Sequence, residues 1–241
     1  MDLGITGKSA LVTAASKGLG LASALALAGE GVRLTICARG EEALHKAEAM
    51  ITEAGGTVLA IPADVTDPAV PAELVAAHAD RYGGLDILVA NAGGPAPGGS
   101  LGVDDDALTA AVNANMLTSI RLVQAALPYM RATGWGRVCL ITSSTIKEPS
   151  PVLALSNTAR TGLWAWAKIA ANEVAADGIT INTACPGLHD TERIRGLVQT
   201  GARIGDPADF GRVVAFLCSQ PANFINGAAL LIDGGAYRGL H

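Results

Sequence analysis

Residues 17–20, with the letters KGLG, have the composition and position to bind a phosphate. They follow a short apolar run and precede an Ala- and Leu-rich segment, so they are predicted to form a tight turn between a strand and a helix. The first N–H groups of that helix have no acceptor within it, and the helix dipole adds positive potential at the same point. Gly18 and Gly20 let the backbone come close to a diphosphate. The turn therefore indicates dinucleotide binding, with packing of small residues as the alternative.

The elements around this turn form a βαβ unit over residues 8–39. Apolar runs at residues 10–13 and 32–37 are the predicted strands, and the helix between them ends near Gly29. A unit of this kind has a right-handed crossover between parallel strands, and its sheet is covered on both faces. It therefore defines the core to which the rest of the chain is added.

The rest of the chain continues the alternation of strands and helices. Further strands are predicted at residues 57–61, 85–89, 136–142, 179–184 and 229–232, and further helices at residues 41–54, 67–82, 104–131, 152–176 and 206–219. This order predicts an α/β fold with a doubly wound, Rossmann-like parallel sheet of about seven strands, in a single domain. Ligands of such sheets bind beyond the carboxyl ends of the strands, where Thr13, Asp64 and Asn91 lie.

Composition narrows the class of partner. The chain has 241 residues, half of them hydrophobic, and a formal net charge of −5, which argues against a nucleic acid or an anionic membrane as partner. The apolar runs are too short to span a bilayer, and the first residues lack the basic start of a signal peptide, so a cytoplasmic protein is expected. The four cysteines lie far apart among apolar neighbours, which predicts buried, reduced thiols rather than a metal site.

Between residues 8 and 235 the chain resembles the short-chain dehydrogenase/reductase family. Residues 13–20 are similar to the TGxxxGxG turn of that family, with Ala14 in place of the first glycine and expected only to continue the strand. Four further segments resemble the adenine-contacting pair, the NAG motif, the PGxxxT segment beside the nicotinamide and the C-terminal DGG. The matching residues are Thr13, Ser16, Lys17, Gly18, Leu19, Gly20, Asp64, Val65, Asn91, Ala92, Gly93, Pro186, Gly187, Thr191, Asp233, Gly234 and Gly235.

The resemblance implies a nicotinamide dinucleotide as cofactor, and charge indicates which one. An acidic residue at the end of the second strand would bind the 2′-hydroxyl of NAD(H) and repel a 2′-phosphate. Arg39 stands at that position, and Lys17 is a second cation that can reach the same phosphate. We therefore expect NADP(H) rather than NAD(H).

Members of the family carry an Asn on the long helix, a Ser after the fifth strand and a Tyr-x-x-x-Lys pair on the next helix. By count, Asn115 falls at the Asn position, with Asn113 as the alternative, and Ser143 falls at the Ser position. The Tyr and Lys positions hold Ser156 and Arg160. The spacing keeps this pair one helical turn apart, on one face.

The Ser156 and Arg160 pair changes the proton chemistry that the resemblance implies. An aliphatic hydroxyl is a much weaker acid than a phenol, and a guanidinium cannot relay a proton, although it can still bind ribose hydroxyls. His189 and Lys147 are the alternative proton donors, because both follow strand ends near the expected substrate. A slow reductase is therefore expected.

The leading hypothesis is an NADP(H)-dependent oxidoreductase of carbonyl or alcohol substrates, similar to a 3-oxoacyl reductase, with an altered proton-transfer site. The alternatives are a non-redox enzyme on the same fold, such as a dehydratase, isomerase or cyclase, and a non-enzymatic NADP(H)-binding protein. The expected partner is a small-molecule substrate, and a short lid between Gly187 and Asp206 favours an open pocket. A homodimer or homotetramer is implied by the resemblance alone.

Overall fold

The computed structural model describes residues 1–195 and 203–240, and its centre is one seven-stranded sheet. The strands are Ser9–Thr13 (β1), Arg33–Ala38 (β2), Val58–Pro62 (β3), Ile87–Ala90 (β4), Gly136–Ile141 (β5), Ile179–Pro186 (β6) and Ala229–Ile232 (β7). They lie in the order β3-β2-β1-β4-β5-β6-β7, and every neighbouring pair is parallel. The prediction of a doubly wound parallel sheet with about seven strands is confirmed.

Helices cover both faces of the sheet. They are Gly18–Gly29 (α1), Glu41–Glu53 (α2), Val70–Tyr82 (α3), Asp105–Val112 (α4), Thr118–Thr133 (α5), Ala154–Glu173 (α6), Glu192–Arg195 (α7) and Pro207–Leu217 (α8). One buried cluster joins α1, α2 and α8 to the sheet through residues such as Leu27, Leu44 and Phe210. A second joins α3, α5 and α6 through residues such as Leu74, Leu122 and Leu163.

Burial on both faces explains why the strands are continuous apolar runs. All five residues of β1 and all six of β5 are buried, as expected for the central strands of a parallel sheet. The strand order reverses between β1 and β4, and the crevice at such a point is where open α/β sheets bind ligands. The predicted phosphate turn follows β1, so it lies at this crevice.

The helix predicted over residues 104–131 is interrupted. A π-helical turn, Asn113–Leu117, joins α4 to α5, and in it the N–H of Thr118 donates to the carbonyl oxygen of Asn113. The Thr118 hydroxyl also donates to that carbonyl, at 2.9 Å, and to the carbonyl of Val65, at 3.1 Å. The turn is thus held to the loop after β3, and the prediction of one continuous helix was wrong here. Single π-turns of this kind are frequent at functional sites.

Ala14 does not continue β1, contrary to the expectation from the sequence. The strand ends at Thr13, and Ala14 adopts a φ of +47°, in the left-handed region that favours glycine. The carbonyl oxygen of Ala14 consequently turns toward α1, where a Cβ on Gly20 would collide with it. The close approach of turn and helix therefore requires glycine at position 20 and a strained residue at position 14.

No helix within residues 1–195 and 203–240 is both long and apolar enough to cross a membrane. The four cysteines are buried and free, in agreement with the sequence analysis. Burial raises the pKa of the Cys37 thiol to about 12, so at neutral pH this thiol is protonated and unreactive.

Candidate functional site

The start of α1 offers free hydrogen-bond donors. Lys17 precedes the helix in an extended conformation, no side chain caps its first turn, and that turn contains no acidic residue. Because the first N–H groups of a helix lack intrahelical acceptors, they remain available to an external anion. Gly18 has a φ of +58°, which turns the backbone into the helix without a side chain in the way. Ser16 and Leu19 complete the turn.

The loop after β4 lies directly beside this turn. The backbone of Asn91 exchanges two hydrogen bonds with the Thr13 hydroxyl, and its side-chain Nδ2 donates to the carbonyl oxygen of Ala14 at 3.3 Å. Gly93 follows in the exposed part of the loop, and nothing lies within 4 Å of the point that a Cβ there would occupy. The turn and the loop thus form one rigid wall with open space beside Gly93.

The ends of β2 and β3 contribute charged side chains. Arg39 is exposed directly after β2. Asp64 Oδ1 accepts hydrogen bonds from the backbone N–H of Thr66, at 3.0 Å, and from its hydroxyl, at 2.8 Å. These bonds, with a smaller contribution from Arg39, lower the pKa of the Asp64 carboxyl. Val65 lies beside this carboxylate, and its carbonyl accepts the Thr118 hydroxyl described above.

The π-turn separates the two candidate asparagines. Asn113 is bound to its surroundings: Nδ2 donates to the carbonyl oxygen of Thr66 at 2.8 Å, and Oδ1 accepts from Arg121 at 2.7 Å. Asn115 is 2% exposed, its Nδ2 donates to Ala111, and its buried Oδ1 has no hydrogen-bond partner among the described residues. Buried acceptors are rarely left unpaired. The geometry therefore favours Asn115 over Asn113 as a site residue.

Ser143 follows β5 and has a hydroxyl proton to donate. Its Oγ accepts from the backbone N–H of Thr145 at 3.2 Å and from the Thr145 hydroxyl at 2.9 Å. Both bonds use the lone pairs of Ser143, so its own O–H can point toward a ligand oxygen. The short 3₁₀ turn that begins here fixes the position of this hydroxyl.

Ser156 and Arg160 lie one turn apart on α6, and both are 6% exposed. Arg160 donates to the carbonyl oxygens of Ile141, at 2.8 Å, and Thr142, at 3.0 Å, and to that of Ala92, at 3.2 Å. It thus joins the end of β5 to the loop after β4. Burial, with a smaller contribution from the positive charge of Arg193, lowers the pKa of Arg160 to about 10.

The two alternative proton donors are both engaged. His189 is buried, its Nδ1 lies 3.2 Å from the carbonyl oxygen of Gly187, and its ring packs edge-on against Phe210. Lys147 Nζ lies 4.5 Å from the ring centroid of Trp164, a cation–π contact. Both side chains are therefore already in contact with protein groups, and neither contact orients a proton toward a substrate.

The segment that follows β6 reaches the glycine turn. Pro186 ends β6, and the N–H of Gly187 donates to the carbonyl oxygen of Ile232 at 2.9 Å. A Cβ on Gly187 would lie 2.7 Å from Cα of Asp233, in the C-terminal DGG segment. Thr191 comes to lie over Gly18. Part of the predicted short lid, residues 196–202, lies outside the described residues.

Sequence reasoning missed two residues at this edge. Glu192 Oε2 lies 2.6 Å from Lys17 Nζ, so the lysine expected to be free for a phosphate has an ion-pair partner. Arg193 donates to the carbonyl oxygens of Gly94 and Pro95. No local pattern marks either residue, because the partners are separated by 98 to 175 positions.

A solvent-open pocket of about 590 Å³, lined largely by exposed residues, lies between the loop after β4 and the start of α6. The two walls are joined by hydrogen bonds from the N–H of Gly98 to Val152, at 2.8 Å, and from the N–H of Ala154 to Gly98, at 3.2 Å. The larger apolar side chains in its lining are Pro97, Leu101, Val103, Pro151 and Leu155. The pocket borders the residue that precedes Ser156.

Comparison with known proteins agrees with this geometry. The family model for short chain dehydrogenases matches residues 8–201. The chain is 32% identical to the 3-oxoacyl-[acyl-carrier-protein] reductase FabG of Vibrio cholerae over 246 residues, which span 98% of this chain and 99% of that protein. It is 30% identical to dehydrogenase/reductase SDR family member 4 of Homo sapiens over 244 residues, 96% of this chain and 88% of that protein.

The fold is shared with a solved structure over its whole length. The crystal structure of L-sorbose reductase from Gluconobacter frateurii, complexed with NADPH and L-sorbose, superposes with a TM-score of 0.95 at 30% identity and covers 100% of both chains. Sequence, fold and the position of the glycine turn therefore lead to one assignment. The chain belongs to the short-chain dehydrogenase/reductase family.

Proposed function

We propose that the protein is an NADP(H)-dependent oxidoreductase that interconverts a carbonyl compound and its alcohol. The observation that carries this proposal is the uncapped start of α1, which points free N–H groups into the crevice between β1 and β4. An anionic diphosphate is the ligand that such a helix start attracts. The family relationship makes a nicotinamide dinucleotide the natural choice.

The residues at the crevice fit this cofactor. The backbone N–H groups of Lys17, Gly18, Leu19 and Gly20 would hold the diphosphate, because no side chain caps this helix start. The adenosine end would lie toward Arg39, Asp64 and Val65, and the nicotinamide end toward Asn91, Ala92, Gly93, Pro186, Gly187 and Thr191. Bound there, the cofactor supplies or accepts a hydride.

Charge supports NADP(H) over NAD(H). Arg39 is exposed and, within the described residues, forms no ion pair, so its guanidinium is available to a 2′-phosphate. The two carboxylates that follow Arg39 on α2 have partners within the helix. Glu41 Oε1 lies 3.6 Å from His45 Nε2, and Glu42 Oε1 lies 2.6 Å from Lys46 Nζ. The positive charge of Arg39 is therefore not cancelled by the start of α2.

The proposed chemistry assigns different tasks to the polar side chains. Ser143 donates a hydrogen bond from its hydroxyl to the substrate oxygen and so orients the substrate. Ser156 and Arg160 stand at the positions of the Tyr-x-x-x-Lys pair of the family. Asn115 stands at the position of the family's Asn, and its buried Oδ1 has no hydrogen-bond partner among the described residues. A positioned acid contributes about 10²–10⁴-fold to such reactions, so a serine in place of the phenol makes proton transfer, not hydride transfer, the slow event.

The substrate is proposed to be a small carbonyl compound or alcohol of the 3-oxoacyl type. Two similar proteins are a 3-oxoacyl reductase and an L-sorbose reductase. In this chain the open pocket beside α6, whose lining includes Pro97, Val103 and Leu155, would take the hydrocarbon part of the substrate, while Ser143 binds its oxygen. Among the described residues that line the pocket, the one charged side chain is Asp104, which caps α4 by accepting a hydrogen bond from the N–H of Ala107.

Equilibrium titration with NADPH and NADH, followed by intrinsic Trp fluorescence, tests the cofactor. Arg39→Gln should weaken NADPH binding by about tenfold, because a charge-assisted hydrogen bond is lost, and should leave NADH binding unchanged. Arg131→Gln is the matched control, since Arg131 pairs with Asp177 at the end of α5. Equal effects of Arg39→Gln on both cofactors would contradict NADP(H) specificity.

A second candidate is a non-redox enzyme or an NADP(H)-binding protein on the same fold. The observation that favours it is Arg160, whose three hydrogen bonds all go to main-chain carbonyls and have a structural purpose. On this account Ser156 has no acid role. Tight NADPH binding without any hydride transfer to carbonyl compounds would support the second candidate.

A homodimer or homotetramer is also proposed. Leu108 on α4 and Ile169 on α6 are exposed apolar side chains on two helices that pack together. Light scattering coupled to size exclusion would measure the assembly, and a mass of one chain at micromolar concentration would contradict it.

A further inference from the structure

Residues 191–195, which we call the strap, lie across the start of α1. The Cγ2 atom of Thr191 is 3.5 Å from the point that a Cβ on Gly18 would occupy. One residue later, Glu192 Oε2 lies 2.6 Å from Lys17 Nζ. The strap therefore covers the turn at which the cofactor phosphates are proposed to bind.

Arg193, the next residue of the strap, is hydrogen-bonded to the loop after β4, on the opposite side of the crevice. Arg193 Nη1 donates to the carbonyl oxygen of Gly94 at 2.8 Å, and Nη2 donates to that of Pro95 at 3.2 Å. The guanidinium fills the space above Gly94, where a Cβ would collide with it. Consecutive residues of the strap thus hold the loops after β1 and β4.

A bound anion would affect the Glu192–Lys17 ion pair differently from the hydrogen bonds of Arg193. Arg193 binds neutral carbonyls, whereas Glu192 binds a cation that a phosphate can also bind. Lys17 and Glu192 are 70% and 69% exposed, and exposed ion pairs change an equilibrium constant by only about fivefold or less. The contact with Lys17 lowers the pKa of the Glu192 carboxyl, so the carboxylate is charged at neutral pH and competes for Lys17.

We propose that Glu192 is a specificity-determining residue: its carboxylate occupies the position on Lys17 that the 2′-phosphate of NADP(H) takes, and it stays there when NAD(H) binds. The inference rests on the proposed function, in which NADP(H) is the cofactor. A phosphate monoester carries close to two negative charges near neutral pH, so it displaces a carboxylate from one ammonium group. Binding of NADP(H) then includes the loss of the Lys17–Glu192 pair, and binding of NAD(H) does not.

The test compares dissociation constants for NADPH and NADH in the full chain. Glu192→Gln keeps the size of the side chain and removes its charge, so it should tighten NADPH binding by about two- to fivefold and leave NADH binding unchanged. In a Lys17→Gln background, the same substitution should have no further effect. Asp209→Asn is the matched control, because the Asp209 carboxylate forms a similarly exposed ion pair with Arg212, outside the strap.

Three results would overturn the proposal. Equal tightening of NADPH and NADH would mean that Glu192 acts on a part that both cofactors share, such as the diphosphate. Weaker NADPH binding in Glu192→Gln would mean that the carboxylate holds the strap on the bound cofactor. A change in NADPH affinity on Glu192→Gln that persists in the Lys17→Gln background would mean that Glu192 does not act through Lys17. A wild-type chain that binds neither cofactor would contradict the proposed function itself. The three results above would contradict only the role of Glu192.

Discussion

Thr13 and Asn91 are joined by two hydrogen bonds across the centre of the sheet. The Thr13 hydroxyl donates to the Asn91 carbonyl oxygen at 2.8 Å and accepts from the Asn91 backbone N–H at 3.0 Å. Thr13 ends β1 and is fully buried, while Asn91 follows β4. One hydroxyl therefore connects the glycine turn to the loop that carries Ala92 and Gly93.

Thr13→Val tests this connection, because valine has nearly the same shape and lacks the hydroxyl. The N–H and carbonyl of Asn91 would lose their partner, so the free energy of unfolding should fall by roughly 1–3 kcal/mol. NADPH affinity should fall as well, since the turn is no longer held against the loop. Thr13→Ser keeps the hydroxyl and is the control. Chemical denaturation measures both variants, and an unchanged midpoint for Thr13→Val would refute the expected role.

Ala14→Gly should stabilise the protein. The φ of +47° is strained for alanine and relaxed for glycine, which outweighs the greater flexibility of glycine in the unfolded chain and leaves a gain of up to about 1 kcal/mol. The neighbouring Ala15 is buried with a negative φ, so Ala15→Gly is the matched control and should destabilise. Thermal unfolding compares the two, and a loss of stability of similar size in both would count against the strain at Ala14.

The sequence predicted the sheet well because its strands are buried on both faces. The apolar runs at residues 10–13 and 229–232 coincide with β1 and β7 to within one residue. The predicted glycine turn likewise precedes a helix, and a Cβ on Gly20 would collide with the carbonyl oxygen of Ala14. Structural features that depend on residues close together in the chain could therefore be predicted from the sequence.

Structural features that depend on contacts between residues far apart in the chain could not be predicted from the sequence. The π-turn at Asn113–Leu117 is held to the loop after β3 by the hydrogen bond from the Thr118 hydroxyl to Val65, and no local sequence pattern predicts that contact. The ion pair between Lys17 and Glu192 joins residues 175 positions apart, so the sequence around Lys17 does not predict it. Arg160 was predicted on one face of a helix, but its carbonyl partners could only be seen in the folded chain.

His78 should make stability sensitive to acid. It is fully buried, and Nδ1 lies 2.8 Å from the Thr35 hydroxyl. Burial, with a smaller contribution from Arg33, lowers its pKa from 6.5 to about 4. The unfolded chain therefore binds a proton between pH 6.5 and pH 4 that the folded chain does not, so stability is complete above pH 6.5 and falls by roughly 3 kcal/mol as the pH drops through this range.

Urea denaturation at several pH values measures this effect. His78→Asn retains a hydrogen-bonding group near Thr35 but does not titrate, so it should lose most of the pH dependence between pH 4 and pH 6.5. His45→Gln is the control, because His45 is exposed on α2 beside Glu48. An identical pH profile for wild type and His78→Asn would exclude His78 as the cause.

Arg160→Lys alone should destabilise the protein. Lysine cannot span the carbonyl oxygens of Ile141, Thr142 and Ala92 together, so the free energy of unfolding should fall by on the order of 1–3 kcal/mol. Thermal denaturation measures the loss. A midpoint equal to that of wild type would mean that this clamp contributes nothing.

Ser156→Tyr combined with Arg160→Lys should raise the rate of ketone reduction. The phenol supplies a positioned acid, which is worth up to about 10²–10⁴-fold, and the ammonium lowers its pKa. Each single substitution should give much less, because the two groups act together. NADPH affinity should change little. Fast reduction by wild type that disappears in His189→Ala would instead place the proton donor at His189.

The most direct test of the account is hydride transfer itself. The wild-type chain is incubated with NADPH that carries deuterium at C4 of the nicotinamide, in either of the two positions, together with a 3-oxoacyl thioester or an activated ketone. Mass spectrometry of the alcohol should find deuterium from one position only, at a low rate that the Ser156→Tyr/Arg160→Lys variant increases. Bound NADPH with no deuterium in any product, in wild type and in the double variant alike, would contradict the assignment as an oxidoreductase.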